Sequence, residues 1–306
     1  MIRYLSLRLL WVAPAVWLII TMVFLLAHVV PGDPVEQMLG EGARAEDLQQ
    51  LRHAMGLDLP VATQYAHYLK GIVRGDLGES FRFHEPVVRV VLAHYPATLE
   101  LAVVALLSCA AIGIPLGLFA AERRRSASDR AVGVFTLLGL SVPNFALGPV
   151  MILVFSVVFG WLPVSGRGGP THLILPAITL GAGLAAILTR MVRSSVIEEL
   201  SSDYVRTARA KGLSPVAVLF RHALPNALIP ILTILGLQFG TLLAGTVVTE
   251  TIFSWPGIGR LAVEAIGARD YPLLQGCILL IAGSYVLVNL LTDFFCVLVD
   301  PRVRLE

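Results

Sequence analysis

The chain has 306 residues, is 56% hydrophobic and 14% charged, and carries a formal net charge of +2; its mean hydropathy is +0.79. A soluble domain carries about 25% charged residues, so this composition excludes an ordinary soluble enzyme and places the chain in a membrane. The small net charge says little about partners, because the positions of the charges matter more than their sum.

A membrane-spanning helix needs about 20 mostly apolar residues, and six segments qualify: 9–30, 97–121, 131–160, 173–195, 228–250 and 276–298. The first follows Arg3 and Arg8, is too long for a signal-peptide core, and is followed by PGDP rather than a small-residue cleavage site, so it reads as a retained anchor. Segment 31–95 is polar, with helical stretches near 46–56 and 60–73, and is too long for a mere connector. It reads as a solvated cap over the outer mouth, as part of a docking surface, or as both. The third apolar run is long for one span, and SVPN at 141–144 breaks it. Pro115, Pro143, Pro176 and Pro230 lie within spans, where neighbouring helices can satisfy the freed backbone groups. Cys109, Cys277 and Cys296 all sit in apolar runs without metal-like spacing and read as small buried hydrophobes.

Orientation follows from the 23 Lys and Arg residues. With the N-terminus inside, cytoplasmic segments hold Arg3 and Arg8, the group from Arg123 to Arg130, the group from Arg190 to Arg221, and Arg302 and Arg304. The short outer loops hold only Arg167, Arg260 and Arg269, so both termini are expected in the cytoplasm.

The connection between the fourth and fifth spans, 196–227, carries more punctuation than a charged loop needs. Ser201, Ser202 or Asp203 can cap a helix, Tyr204 to Lys211 continue it, and Gly212 suits a left-handed C-terminal position. Ser214-Pro215 restarts a helix, and Leu224-Pro225 is expected to stop it. Tyr204, Val205 and Ala208, then Val216, Leu219 and Phe220, give each short helix an apolar side. Helices of this length are marginal alone in water and make sense as a rigid knob docked into another protein.

At this point the residues resemble a known family. Permeases of ATP-binding-cassette importers carry a cytoplasmic signature written Glu-Ala-Ala, three residues, Gly, nine residues, Ile, one residue, Leu-Pro. This chain has Arg206-Thr207-Ala208, then Gly212, His222 and Leu224-Pro225; the Gly, second Ala and Leu-Pro match, and the Glu, first Ala and Ile do not. PGDP (31–34), GLDLP (56–60), GDLGESF (75–81), PATLEL (96–101), WLPVSG (161–166), FSWPGIGRL (253–261), RDYP (269–272) and DPR (300–302) extend the resemblance to the dipeptide, oligopeptide and nickel permease branch over nearly the whole chain.

The resemblance implies an all-α membrane protein of six transmembrane helices with the type I importer permease fold, located in a bacterial inner membrane. It divides the chain into an N-terminal helix (1–30), an extracytoplasmic segment (31–95), a transport core (96–298) and a cytoplasmic tail (299–306). It implies half of a translocation pathway for peptides, nickel chelates or glutathione-like solutes. The partners it implies are a second permease, two cytoplasmic ATP-binding subunits and an extracytoplasmic binding protein, with membrane lipid around the chain and no nucleic acid. Tyr204, Arg206, Ala208, Gly212, Leu213, Leu224 and Pro225 are then the ATPase-coupling residues.

The residues add their own expectations. No phosphate-binding G-x-x-x-x-G-K-[ST] stretch is present, so ATP and Mg are expected on partner subunits, with no cofactor, catalytic residue or metal site in this chain. Asn144, Gln238 and Glu250, with Asn289 and Asp293, are polar groups inside spans and read either as pathway lining or as interhelical hydrogen bonding. Gly113 and Gly117, and Gly236, Gly240 and Ala244, recur at four-residue spacing and allow close helix approach, to a sister permease or within this chain. The rival reading, an ion-coupled secondary transporter, also uses broken helices, but no span carries a charge near its centre to couple ions.

Overall fold

The computed structural model describes residues 2–29, 35, 39, 43–54 and 56–299. PGDP at 31–34 and DPR at 300–302 lie outside the described residues, as does the side chain of Cys296. Among the described residues there are helices and no strands; one isolated bridge joins Glu79 and Pro86.

Helix α1 (Ile2–Val29) leads to the short α2 (Ala45–Ala54) and α3 (Val61–Arg74), close to the helical stretches expected there. Helix α1 packs on α13 (Tyr271–Val299) and touches α3. The α3 contact is aromatic: Phe24 meets Tyr65 and Tyr68 at ring-centroid distances of 5.1 and 5.5 Å, and Thr21 shares a hydrogen bond with the Tyr65 hydroxyl at 2.7 Å.

The bundle proper contains α4 (Val87–Glu122), α5 (Ala127–Ser141), α6 (Asn144–Met151), α7 (Pro170–Leu200) and α10 (Leu224–Gly245), together with α13. Among the described residues, four helices are long and apolar enough to cross a membrane, and the bent pair 127–141 and 144–158, whose halves meet at 99°, makes a fifth where its two halves count as one broken span. The described apolar part of α1, Val12–Leu25, is shorter. The break falls at the expected SVPN. Pro143 pushes Val142 into extended geometry (φ −90°, ψ 113°) and lacks the N–H that a continuous helix would use. Helix α6 then runs into a π-helical stretch, Ile152–Val158. The bundle packs around α7, which makes its most extensive contact with α4.

Span limits depart from the sequence reading where flanking polar residues are themselves helical. Helix α4 begins ten residues before the expected 97. The fifth span runs from Pro215 to Gly245 rather than 228 to 250. After Gly245 the chain makes two short helices, α11 (Val247–Ile252) and α12 (Ile258–Gly267), before α13.

Candidate functional site

At one end of the bundle, α7 passes into α8 (Asp203–Ala210) and α9 (Pro215–Val218). Gly212 has φ +81°. Its N–H donates to Arg209 C=O at 2.9 Å, and that of Leu213 reaches back to Ala208 C=O at 3.4 Å. This is the paired closure of a Schellman motif, which needs a left-handed residue at the position Gly212 holds. Ser214 then caps α9 by accepting from Ala217 N–H at 3.3 Å. The glycine corner and the serine cap therefore stand as the sequence reads.

Two expectations are corrected. Ser202 occupies the N-cap position of α8, but its hydroxyl donates backwards to Glu199 C=O at 2.7 Å, as Ser201 does to Glu198 C=O at 2.7 Å. These serines close α7 rather than open α8. Leu224-Pro225 does not stop the second helix: a π-helical turn, Leu219–Ala223, joins α9 to α10 without a break. The wider turn accommodates a proline that lacks an N–H, and His222 C=O accepts from Asn226 Nδ2 at 3.2 Å and Tyr204 Oη at 3.3 Å.

The knob has its own small core of Val205, Ala208 and Val218, packed against Leu200. Leu219 is buried too, whereas Val216 and Phe220 are 59% and 55% exposed, so the expected apolar side is divided between an inner and an outer face. Leu213 and Tyr204 also reach the surface. The Tyr204 hydroxyl donates to Glu199 Oε2 at 2.5 Å; partial burial, and then this bond, push its phenol above the ordinary range. Arg206 is exposed and, among the described residues, its one ion pair is with Asp203, at 3.3 Å. Leu224 packs against the bundle core, and Pro225 is exposed.

At the other end, the remaining motifs meet in space. Glu250 is fully buried: Oε1 accepts from Thr98 Oγ1 at 2.8 Å, and Oε2 accepts from Arg260 N–H at 2.9 Å, in the first turn of α12. Thr98 in turn accepts from Ile258 N–H at 2.8 Å, and Trp255 Nε1 donates to Ala97 C=O at 2.8 Å. PATLEL and FSWPGIGRL thus form one polar clamp. Gly166 of WLPVSG joins it by donating to Phe253 C=O at 2.8 Å.

A second clamp lies beside the first. Asp270, fully buried, caps α13 by accepting from Leu273 N–H at 3.2 Å. It also accepts from Ser80 Oγ at 2.5 Å and Arg82 N–H at 3.1 Å, so RDYP holds GDLGESF. Arg82 and Arg260 both pair with Glu264, each at 3.0 Å. The motifs are plain in the sequence, but the pairing of Thr98, Trp255, Ser80 and Asp270 is not. The signal for Asp270 was present: an Asp immediately before Tyr-Pro is a helix start.

The polar candidates inside spans separate clearly. Gln238 is buried, accepts from Cys109 Sγ at 3.3 Å and donates to Leu184 C=O at 3.0 Å, bridging three helices. Glu250 serves the clamp. In this conformation neither side chain faces an open space. Asn144 is half-buried at the first position of α6, at the 99° bend. The glycine pairs face this chain's own helices. A Cβ on Gly113 would lie 3.0 Å from Leu188 Cβ, and one on Gly117 2.6 Å from Val192 Cβ, both across the α4–α7 contact. On α10, Gly240 lies against Tyr285 and Gly236 against Thr292 of α13, while Ala244 is exposed. No group of three or more metal-ligating side chains exists among the described residues.

Comparison with known proteins agrees with this architecture. Residues 113–305 match the family described as binding-protein-dependent transport system inner membrane component, and residues 1–102 match its N-terminal companion. The chain is 44% identical over 335 aligned positions to the di/tripeptide transport system permease protein DppB of Pseudomonas aeruginosa (strain UCBPP-PA14), covering 99% of both. It is 41% identical over 304 positions to the glutathione transport system permease protein GsiC of Escherichia coli (strain K12), again covering 99% of both. Among solved structures, the inward-facing MetNI methionine ABC transporter has a chain that aligns with a TM-score of 0.60 at 19% identity, covering 69% of this chain and 96% of that one; this shows the type I importer permease fold. The chain therefore belongs to the binding-protein-dependent transport system inner membrane component family, as a multi-pass inner-membrane permease subunit of an ATP-binding-cassette importer.

Proposed function

We propose that this chain supplies half of the translocation pathway for small peptide-like solutes, di- and tripeptides or glutathione, handed over by an extracytoplasmic binding protein. The substrate class rests on the relatives named above. The remaining assembly comprises a second permease and two cytoplasmic subunits that hold ATP and Mg and dock on the knob at 201–225.

The observation that carries this reading is the knob itself. Its corner is fixed by the backbone closure at Gly212, its interior by Val205, Ala208 and Val218, and it leaves Leu213, Val216 and Phe220 outward. Exposed apolar side chains on a rigid element at the end of a membrane bundle suit a partner's groove, and a rigid element transmits force where a flexible loop would absorb it. Segment 31–95 fits part of the outer docking surface, and its GDLGESF stretch is held to the bundle through Ser80 and Asp270. Asn144 is the pathway candidate that keeps some exposure.

The test is reconstitution. Proteoliposomes holding this chain, its sister permease and both ATPase subunits, with the binding protein added, should take up labelled dipeptide or glutathione only with ATP. Uptake driven by an ion gradient without ATP would overturn the reading.

A further inference from the structure

Helices α5 and α7 are fastened at one height by a two-pronged ion pair: Arg193 Nε donates to Asp129 Oδ1 at 2.6 Å, and a terminal guanidinium nitrogen donates to Oδ2 at 2.8 Å. Asp129 Oδ2 also accepts from Arg125 N–H at 2.9 Å, which leaves that carboxyl group fully engaged. From this clasp a groove of about 540 Å³ opens between the two helices. Arg130 and Arg190 stand on its lining, both exposed, and neither has an acidic partner among the described residues. Arg123 and Arg124 add charge from the adjoining connection, where Arg123 lies over the Phe119 ring at 4.5 Å.

Beyond the arginines the lining turns apolar, apart from Thr136 and Thr189, whose hydroxyls donate to carbonyls of their own helices. Val134 and Leu137 of α5 line the groove and are 57% and 56% exposed, and Gly133 lies between the arginine end and this apolar wall. From Arg130 to Leu137 is about 10 Å along the helix axis. The groove therefore changes from cationic to apolar along its length, in the order that a phospholipid changes from phosphate to acyl chain. A small soluble anion would use the arginines and leave the apolar wall wet; a bare hydrocarbon chain would bring apolar surface against unpaired guanidinium groups. The distribution of arginines assigns this end to the cytoplasmic side, where basic pockets between membrane helices suit anionic headgroups.

We propose that the α5–α7 groove is a binding site for an anionic phospholipid, with its phosphate on Arg130 and Arg190 and its glycerol and upper acyl region along Val134 and Leu137. Arg193 is committed to Asp129 and positions the groove. An occupying lipid bridges α5 to α7 beyond the single ion pair, bracing the half-helix that leads to the 99° bend.

The experiment uses the assembled importer in detergent, incubated with phosphatidylglycerol or phosphatidylcholine and weighed intact by native mass spectrometry. Wild type should keep phosphatidylglycerol preferentially, and excess inorganic phosphate should not displace it. Replacing both arginines (Arg130→Gln with Arg190→Gln) should weaken retention about 25-fold, roughly 5-fold per arginine near the membrane surface. Gly133→Leu provides the independent arm: a Cβ there meets nothing within 4 Å, so a larger side chain has room on the groove lining while both arginines are kept, and retention should fall as well. If the arginine variants fail to assemble, Gly133→Leu decides the matter. Equal retention of phosphatidylcholine, displacement by phosphate, unchanged retention in Gly133→Leu, or absence of any lipid because the sister permease covers the groove would each overturn the proposal.

Discussion

Thr98 Oγ1 donates to Glu250 Oε1 at 2.8 Å across a separation of 152 residues, and the same Thr98 oxygen accepts from Ile258 N–H. One hydroxyl thus ties α4, three turns into the helix, to the helix–turn–helix that separates α10 from α13. Both side chains are buried, so removing either partner leaves polar groups without water to replace it. Glu250→Ala strands the Thr98 hydroxyl and the Arg260 amide, at about 1–3 kcal/mol each. The expected loss is on the order of 3 kcal/mol, with a smaller loss for Glu250→Gln, read as the midpoint of unfolding in detergent. Equal midpoints for wild type and Glu250→Ala would contradict the clamp.

The second clamp predicts a local effect. Asp270→Ala removes the acceptor for Ser80 and for the Arg82 amide, so the 76–86 loop should detach more often while the bundle persists. Trypsin should cut after Arg82 at least about tenfold faster than in wild type, the equivalent of roughly 1.4 kcal/mol in opening free energy. Unchanged cleavage would show that the loop is held by something else.

Close packing across α4 and α7 makes a steric prediction. Gly117→Ala places a Cβ 2.6 Å from Val192 Cβ and 2.8 Å from the Thr189 carbonyl oxygen, so a backbone must move. The cost should be about 1–3 kcal/mol, seen as lower yield of folded chain and a lower unfolding midpoint. If instead Gly117→Ala folds normally and loses only its sister permease, the glycine faces the other subunit.

Single cysteines at Ala45 and Ser201, in a background without Cys109, Cys277 and Cys296, should label from opposite sides of the membrane with an impermeant reagent. Labelling of both from the same side would refute the orientation read from the arginines.

What the sequence showed and what it hid divide along a physical line. Gly212, Ser214 and the SVPN break were legible because each is fixed by local backbone chemistry: a left-handed φ, a free hydroxyl before Pro, a missing N–H. The role of Glu250 was not. A carboxyl group inside an apolar run announces an expensive burial, but half of its compensation came from Thr98, 152 residues away, and the rest from the Arg260 amide at the start of α12, a helix the sequence reading did not assign. The glycines behaved likewise: spacing shows that something comes close, and only the tertiary structure shows that it is Leu188, Val192, Tyr285 and Thr292 of the same chain. Leu224-Pro225 misled because its missing N–H fell beside a π-helical turn that accommodates it.

The central claim is that the knob acts as a rigid lever, and Gly212 tests it most directly. A β-branched residue held in left-handed geometry costs about 1–2 kcal/mol or more, and a marginal two-helix corner opens rather than bear it. The measurement is the ratio of solute taken up to ATP hydrolysed in proteoliposomes, alongside retention of ATPase subunits on the purified permease pair. Gly212→Val should keep the sister permease, bind the ATPase subunits weakly, and lose most uptake per ATP, while Arg206→Ala, which removes an exposed charge paired with Asp203, should stay near wild type. Normal retention and coupling in Gly212→Val, with both lost in Arg206→Ala, would contradict the account and make the loop a charge contact instead.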